Sequence, residues 1–415
     1  MSWSVLVEGE LRREVESVLR GFASGRHTFV GPTLASGTAG AALLWGSLAL
    51  ELGDETAQAR CEEALAHTFD ALSAAPSDFS LYQGLSGTGW VLLHLHQRGL
   101  LEPQDESLEQ IEPLLMEHSK RSSLYYDLIF GYVGLGVYGL ERLPSPWARE
   151  FLSMLVGHFA RLAIETEQGA TWHSHPETIG EFRDLFPEGT YNVGLAHGVP
   201  GVVSLLARCA AAGIRPEESE RWARAGIRWL LAQRMGDRFP SRWYHNRPPD
   251  KARDAWCYGN PGVGIALLSA AHALGDAQLE REAISILLDT ATPGRETGVV
   301  DASLCHGSAG LVHIFNRAYQ ATGDTRLKEA AIDWLRRTLR LVKRDGDEVF
   351  FDAVTFPRDE KGHRKREIVR DDGILTGGAG VALALLSTIS PSEPTWDRFL
   401  MTDVPAAHRA LAGGA

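Results

Sequence analysis

Two kinds of hydrophobic stretch alternate along this chain of 415 residues. In the first, apolar positions recur at intervals of three and four between charged ones, as in Leu327, Ala330, Ala331, Trp334 and Leu335. That spacing places them on one face of a helix and predicts amphipathic helices over 5–21, 55–74, 105–117, 146–164, 217–234, 276–289 and 325–342. In the second kind almost every position is apolar, as in Ala41–Leu50, Val202–Cys209 and Val381–Leu386. A helix apolar all round has to be buried, whereas a one-sided helix can cover it from outside.

Each all-apolar stretch is entered through a Gly-x-x-Gly step. The pairs are Gly37/Gly40, Gly84/Gly87, Gly131/Gly134, Gly198/Gly201, Gly259/Gly262, Gly307/Gly310 and Gly377/Gly380. Their first glycines are 47, 47, 67, 61, 48 and 70 residues apart, so a unit of 47–48 residues recurs and three longer gaps hold inserted material. Glycine allows a sharp turn and close backbone approach where a loop enters a tightly packed helix. Seven outer–inner helix pairs predict an all-α fold, an α/α toroid formed by one domain over residues 1–415. The competing arrangement is an open solenoid, which usually has a steadier period and polar capping repeats. Strand content is expected to be slight, with Glu348–Phe356 the best candidate.

Composition narrows the functional classes. A formal charge of −12 disfavours nucleic acid, a polyanion that needs a basic face. No uncharged apolar run approaches the length of a membrane span, and Met1–Gly21 lacks the basic start and apolar core of a secretory signal. Four cysteines are too few for a disulfide framework, so a cytoplasmic location is expected.

The polar residues just ahead of the glycine steps carry the chemistry. Cys257 and Cys305 both lie two residues before a first glycine, and His197, Tyr258 and His306 lie one before. Cys257, Cys305 and His306 make up a Cys2His donor set of the kind that holds zinc with one position open. Cys61 and Cys209 fall within apolar helix faces and read as core residues. His197 lacks a neighbouring cysteine and suits proton transfer, with Asp127 placed to fix its tautomer. Arg253 reads from sequence as an ion-pair partner, and His173 and His175 as loop residues.

At AWCYGNPG (255–262), LCHGSAG (304–310), GLAHGVPG (194–201) and YDLIFGYVGLG (126–136) the chain resembles the lanthionine synthetase C family of lanthipeptide cyclases, and the likeness runs through essentially the whole length. The resemblance implies the same toroid, with one Zn2+ per chain on Cys257, Cys305 and His306. It also implies a surrounding active-site set of His197, Asp127, Arg253 and Tyr258, Arg253 anchoring Asp127 or stabilising an enolate oxygen. The implied reaction is addition of a peptide cysteine to a dehydrated Ser or Thr of a precursor peptide, giving a thioether ring. The implied partners are that peptide and a dehydratase. Alternatives are addition of a glutathione-type thiol to dehydrated proteins, a non-catalytic scaffold for peptide or dehydratase, and a glycosidase built on carboxylates such as Asp254, Asp301 and Asp372.

Overall fold

The computed structural model describes residues 3–74, 78–121, 125–180, 183–244, 246–292, 294–357 and 365–406. The first two residues of the N-terminal stretch Met1–Gly21 thus lie outside the described residues. Fourteen α-helices are found among the described residues: α1 Gly9–Ser24, α2 Thr38–Leu52, α3 Glu55–Ala74, α4 Leu85–Gln97, α5 Asp105–Lys120, α6 Tyr132–Glu141 and α7 Pro146–Leu162. They continue with α8 Val199–Ala211, α9 Pro216–Ala232, α10 Asn260–Leu274, α11 Ala277–Thr290, α12 Ser308–Thr322, α13 Thr325–Leu339 and α14 Gly378–Ile389. The chain packs as two compact units. One comprises Met1–Ala75, Gly298–Thr395 and Pro405–Ala415; the other comprises Pro76–Thr297 and Trp396–Val404.

In the unit built around Pro76–Thr297, the inner helices α4, α6, α8 and α10 pack side by side in that order, covered by α5, α7, α9 and α11. In the other unit α12, α14 and α2 pack in that order, covered by α13, α1 and α3. The seven inner helices are those that follow the seven glycine steps. Every residue of α14 is buried, as are Asn260–Ala271 of α10. Burial of this kind stabilises by about 2 kcal/mol for each large apolar side chain, which is why a helix with no polar face is tolerated only here.

The hydrophobic pattern alone suggests that each outer helix precedes its inner partner. The structure corrects that order: an outer helix packs on the inner helix before it, and α1 covers α14, the last inner helix. The reason lies in the connections. Between α2 and α3 the chain needs only Gly53, in the left-handed conformation, and Asp54, a link short enough to lay antiparallel helices together. From an outer helix to the next inner one it must first build the long turn that carries the glycine step.

Strands fill the three long gaps in the glycine spacing. Strands β1 Ala163–Thr166, β2 Gly169–Ser174, β3 Thr190–Asn192, β4 Pro240–Trp243 and β5 Asp250–Lys251 form one antiparallel sheet in that order. They occupy the gaps of 67 and 61 residues. The 70-residue gap holds two hairpins, β6 Lys343–Asp345 with β7 Glu348–Phe350, and β8 Asp352–Thr355 with β9 Glu367–Arg370. The strand candidate Glu348–Phe356 is realised as β7 and β8. His173 is a strand residue of β2, not a loop residue, paired across the sheet with Tyr191; His175 follows the strand.

Candidate active site

The turns that enter the inner helices are built alike. In four of them the residue six before the first glycine is Asp or Asn, and its Oδ1 accepts the backbone N–H two residues on: Asp78 from Ser80 (2.8 Å), Asn192 from Gly194 (2.9 Å), Asp301 from Ser303 (3.0 Å) and Asp371 from Gly373 (2.8 Å). Such side-chain turns replace backbone hydrogen bonds that the loop cannot make for itself. Successive turns are also tied to one another through the backbone. Leu128 N–H donates to Ala196 O and Ala196 N–H to Cys257 O, while in the other unit Cys305 N–H donates to Leu375 O and Leu375 N–H to Ala35 O. The residues singled out by their offset thus sit on a braced frame, not on free loops.

At the start of α10 the geometry departs from the rest. Six of the seven first glycines have extended backbones, but Gly259, directly after Cys257 and Tyr258, has φ +79°. Only glycine takes that conformation without strain, and a Cβ there would also meet the Arg253 carbonyl oxygen.

Asp127, His197 and Tyr258 are brought together in the unit built around Pro76–Thr297. Asp127 Oδ1 accepts from Phe130 N–H at 2.8 Å, and its Oδ2 lies 2.6 Å from His197 Nδ1. The carboxylate therefore fixes the imidazole, with Nδ1 engaged and Nε2 left for another partner. The His197 side chain is 35% exposed. Its ring lies near those of Phe130 and Tyr258, with centroids 6.2 and 6.4 Å away. Phe130, itself 43% exposed, makes an apolar wall beside the imidazole.

Tyr258 is held by residues that sequence reasoning missed. Its hydroxyl oxygen accepts from Asn192 Nδ2 (3.2 Å) and from Arg242 Nη2 (3.3 Å), and the Arg242 guanidinium lies 5.5 Å from the ring centroid. Asn192 and Arg242 face each other directly across β3 and β4. Burial pushes the Tyr258 phenol above its ordinary value, against the pull of Arg242 and of the Asn192 hydrogen bond. The one available signal for Asn192 was its place six residues before Gly198; Arg242 lies in an inserted strand with no repeat to mark it.

Arg253 is half-buried, and its side chain has no ion-pair or hydrogen-bond partner among the described residues, so it does not anchor Asp127. Cys257 is buried in this same unit. Cys305 and His306 belong to the other unit, where His306 Nε2 is 3.3 Å from Asp301 Oδ2. Burial pushes the Asp301 carboxyl up, but His306, the Ser303 hydroxyl and the Val354 N–H outweigh it and hold the group below the usual carboxylate range. All four cysteines are among the described residues and none is in a disulfide.

No group of three or more His, Cys, Asp or Glu side chains poised to hold a metal is found among the described residues, so the three-ligand set stays an expectation of the sequence. In kind the donors fit zinc: two thiols, and an imidazole whose one nitrogen is held by a carboxylate while the other is left to bind. The carboxylates that a glycosidase would need are committed elsewhere. Asp254 pairs with buried Arg295 at 2.7 Å, Asp301 serves its turn and His306, and Asp372 pairs with His27 at 3.3 Å. Among the described residues no helix is long and apolar enough to cross a membrane.

The family model for lanthionine synthetase C-like proteins matches residues 28–401. Nisin biosynthesis protein NisC of Lactococcus lactis subsp. lactis is 26% identical over 260 residues, which cover 57% of this chain and 61% of that protein. The match thus spans about three fifths of the relative's length. A solved structure of nisin cyclase superposes with a TM-score of 0.72 at 21% identity, covering 95% of this chain and 98% of that one. That likeness establishes a common fold.

Proposed function

The chain belongs to the lanthionine synthetase C-like family, and from that premise we propose that it is a zinc-dependent lanthipeptide cyclase. Its substrate is a dehydrated precursor peptide, leader and core, whose alkenes a dehydratase supplies. The seven inner–outer helix pairs support the reading of residues 1–415 as one α/α toroid, and four cysteines outside any disulfide support a cytoplasmic site of action. The observation that carries the proposal is the Asp127–His197 pair, an imidazole fixed by a carboxylate with Nε2 open beside Tyr258.

Cys257, Cys305 and His306 are the residues that would hold zinc, and Asp301 would orient His306. Zinc bound there would lower the pKa of an incoming peptide thiol, ordinarily about 8.5, so that it is delivered as the nucleophilic thiolate. Sulfur then forms a bond to the β-carbon of dehydroalanine or dehydrobutyrine, and the alkene electrons move to the α-carbon and carbonyl as an enolate. His197 supplies the proton that the α-carbon needs, from Nε2. Asp127 holds the ring in the orientation for that transfer. One proton is lost from sulfur and one gained at carbon, so the peptide's mass is unchanged.

Incubation with a dehydrated, cysteine-containing precursor peptide tests the proposal. Unchanged mass with loss of thiol reactivity is the expected result; a glutathione-sized mass increase in the presence of glutathione would identify small-thiol addition instead, and no change at all would indicate a scaffold. The pure protein should contain about one zinc per chain, the count for a single catalytic site. Cys257→Ala and Cys305→Ala should lose it. His197→Asn should keep the metal and lose ring formation by about 100-fold or more. A zinc-replete, fully active Cys305→Ala protein would overturn the metal assignment.

A further inference from the structure

The hydrogen bonds around Tyr258 run in one direction. An arginine guanidinium can only donate, so the Arg242 contact makes the phenolic oxygen an acceptor. The Asn192 amide could in principle face either way, but the Gly194 N–H donates to Oδ1 at 2.9 Å, so Nδ2 must face the phenol. Two donors thus converge on the Tyr258 oxygen, and its own proton has no acceptor among the described residues. The arrangement is rigid. Asn192 and Arg242 are cross-strand partners on β3 and β4, and a Cβ on Gly194 would come within 2.5 Å of Tyr258 Cδ1, so the ring is packed directly against the turn that orients Asn192.

We propose that Asn192 and Arg242 are positioning residues that make Tyr258 an obligate hydrogen-bond donor to the substrate, its hydroxyl proton directed at the carbonyl oxygen on which the enolate's negative charge develops. The inference rests on the cyclase reading and extends it. His197 and Tyr258 then divide the work: the imidazole delivers a proton to the α-carbon, and the phenol donates to the oxyanion without giving its proton up. Two hydrogen bonds accepted by the phenol oxygen polarise the O–H bond and strengthen what it donates. Arg253, the residue that the family resemblance offers for the oxyanion, is not required for it.

Asn192→Asp is the decisive variant. A carboxylate still accepts the Gly194 N–H, so the turn is kept, but it captures the Tyr258 proton instead of donating to the phenol. Three results are expected. The value of kcat for ring formation should fall about 100-fold, the loss typical of one missing oxyanion donor, and match Tyr258→Phe, with KM changed no more than about twofold. The Asn192→Asp/Tyr258→Phe double variant should be no slower than Tyr258→Phe alone. The Asn192 side-chain amide resonance, identified as the one missing from Asn192→Asp, should shift in Tyr258→Phe, which removes its acceptor. Arg242→Lys, which keeps a donor, should retain more activity than Arg242→Met.

Wild-type kcat in Asn192→Asp, independent losses in the double variant, or an Asn192 amide resonance unmoved in Tyr258→Phe would each overturn the assignment. Metal content and circular dichroism show whether each variant is folded. If the unaltered protein failed to close rings, the cyclase reading would fall, and the Asn192 amide resonance would still decide how Tyr258 is held.

Discussion

Cys61 and Cys209 are both buried. Burial, with the charge of Glu62 behind it, pushes the Cys61 thiol up to about 11, and burial pushes Cys209 up to about 12. Both are therefore protonated at about pH 8, where a thiol of ordinary pKa is partly ionised. With iodoacetamide at that pH, peptide mapping should find Cys61 and Cys209 unmodified while partly exposed Cys305 is alkylated, and added zinc should slow Cys305 alone of these three. Fast alkylation of Cys209 in the folded protein would contradict its place in the wall of α8. Cysteine and histidine were legible as site residues because few residue types bind metal or move protons near neutral pH, and their offsets matched. Asn192 and Arg242 were not. Their role comes from the register between two short strands, and nothing in a one-dimensional pattern states which residues face each other across a sheet.

The turn ahead of each inner helix does two jobs with one side chain. In Asp127 and Asp301 one oxygen accepts a backbone N–H and the other addresses a histidine, His197 and His306 respectively. Asn192 does the same with its amide, Oδ1 for the turn and Nδ2 for Tyr258. Among the described residues, Asp78 spends its Oδ1 on Ser80 alone, on the backbone N–H and the hydroxyl. The element predicts a contrast. Asp78→Ala should cost about 1 kcal/mol of stability, the worth of a lost hydrogen bond, with ring formation unaffected. Asp301→Ala should show a similar loss in urea unfolding and, in addition, weaken zinc about 10- to 100-fold in chelator competition, as removal of a carboxylate behind a histidine ligand does. Equal zinc affinity in the two variants would show that Asp301 only shapes the turn. At this scale the sequence was informative about where elements lie: among the described residues the strands all fall in the three longer gaps. It was silent about order, because which outer helix covers which inner one is settled by connection length and packing, and α1 finds its partner α14 more than 350 residues away.

Over the whole chain, the hydrophobic pattern revealed the number of helix pairs because removing apolar surface from water is the dominant force favouring the folded state. It said nothing of long-range electrostatics. His94 on α4 is buried and stacked on Trp90 at 4.9 Å, and its Nδ1 has no hydrogen-bond partner among the described residues. Burial, together with the cations Arg398 and Arg98, drives its pKa down to about 3. Arg398 comes from the C-terminal stretch Trp396–Val404, which folds back on the helices of the Pro76–Thr297 unit and pairs with Glu141 at 2.8 Å. The sign follows from linkage. The unfolded chain takes a proton at His94 near its ordinary value of about 6.5, while the native state refuses it until about pH 3, so stability is full above the first value and declines as pH falls through that window. The slope is about 1.4 kcal/mol per pH unit, and His118 and His158, also held low by burial, act in the same direction. Urea unfolding of this unit should therefore show stability lost between about pH 6.5 and pH 5, above the range in which most carboxylates titrate. In His94→Phe, which keeps an apolar ring against Trp90, about 2 kcal/mol of that loss should disappear. An unchanged slope in His94→Phe would place the acid sensitivity in other groups and show that His94 accepts its proton without unfolding.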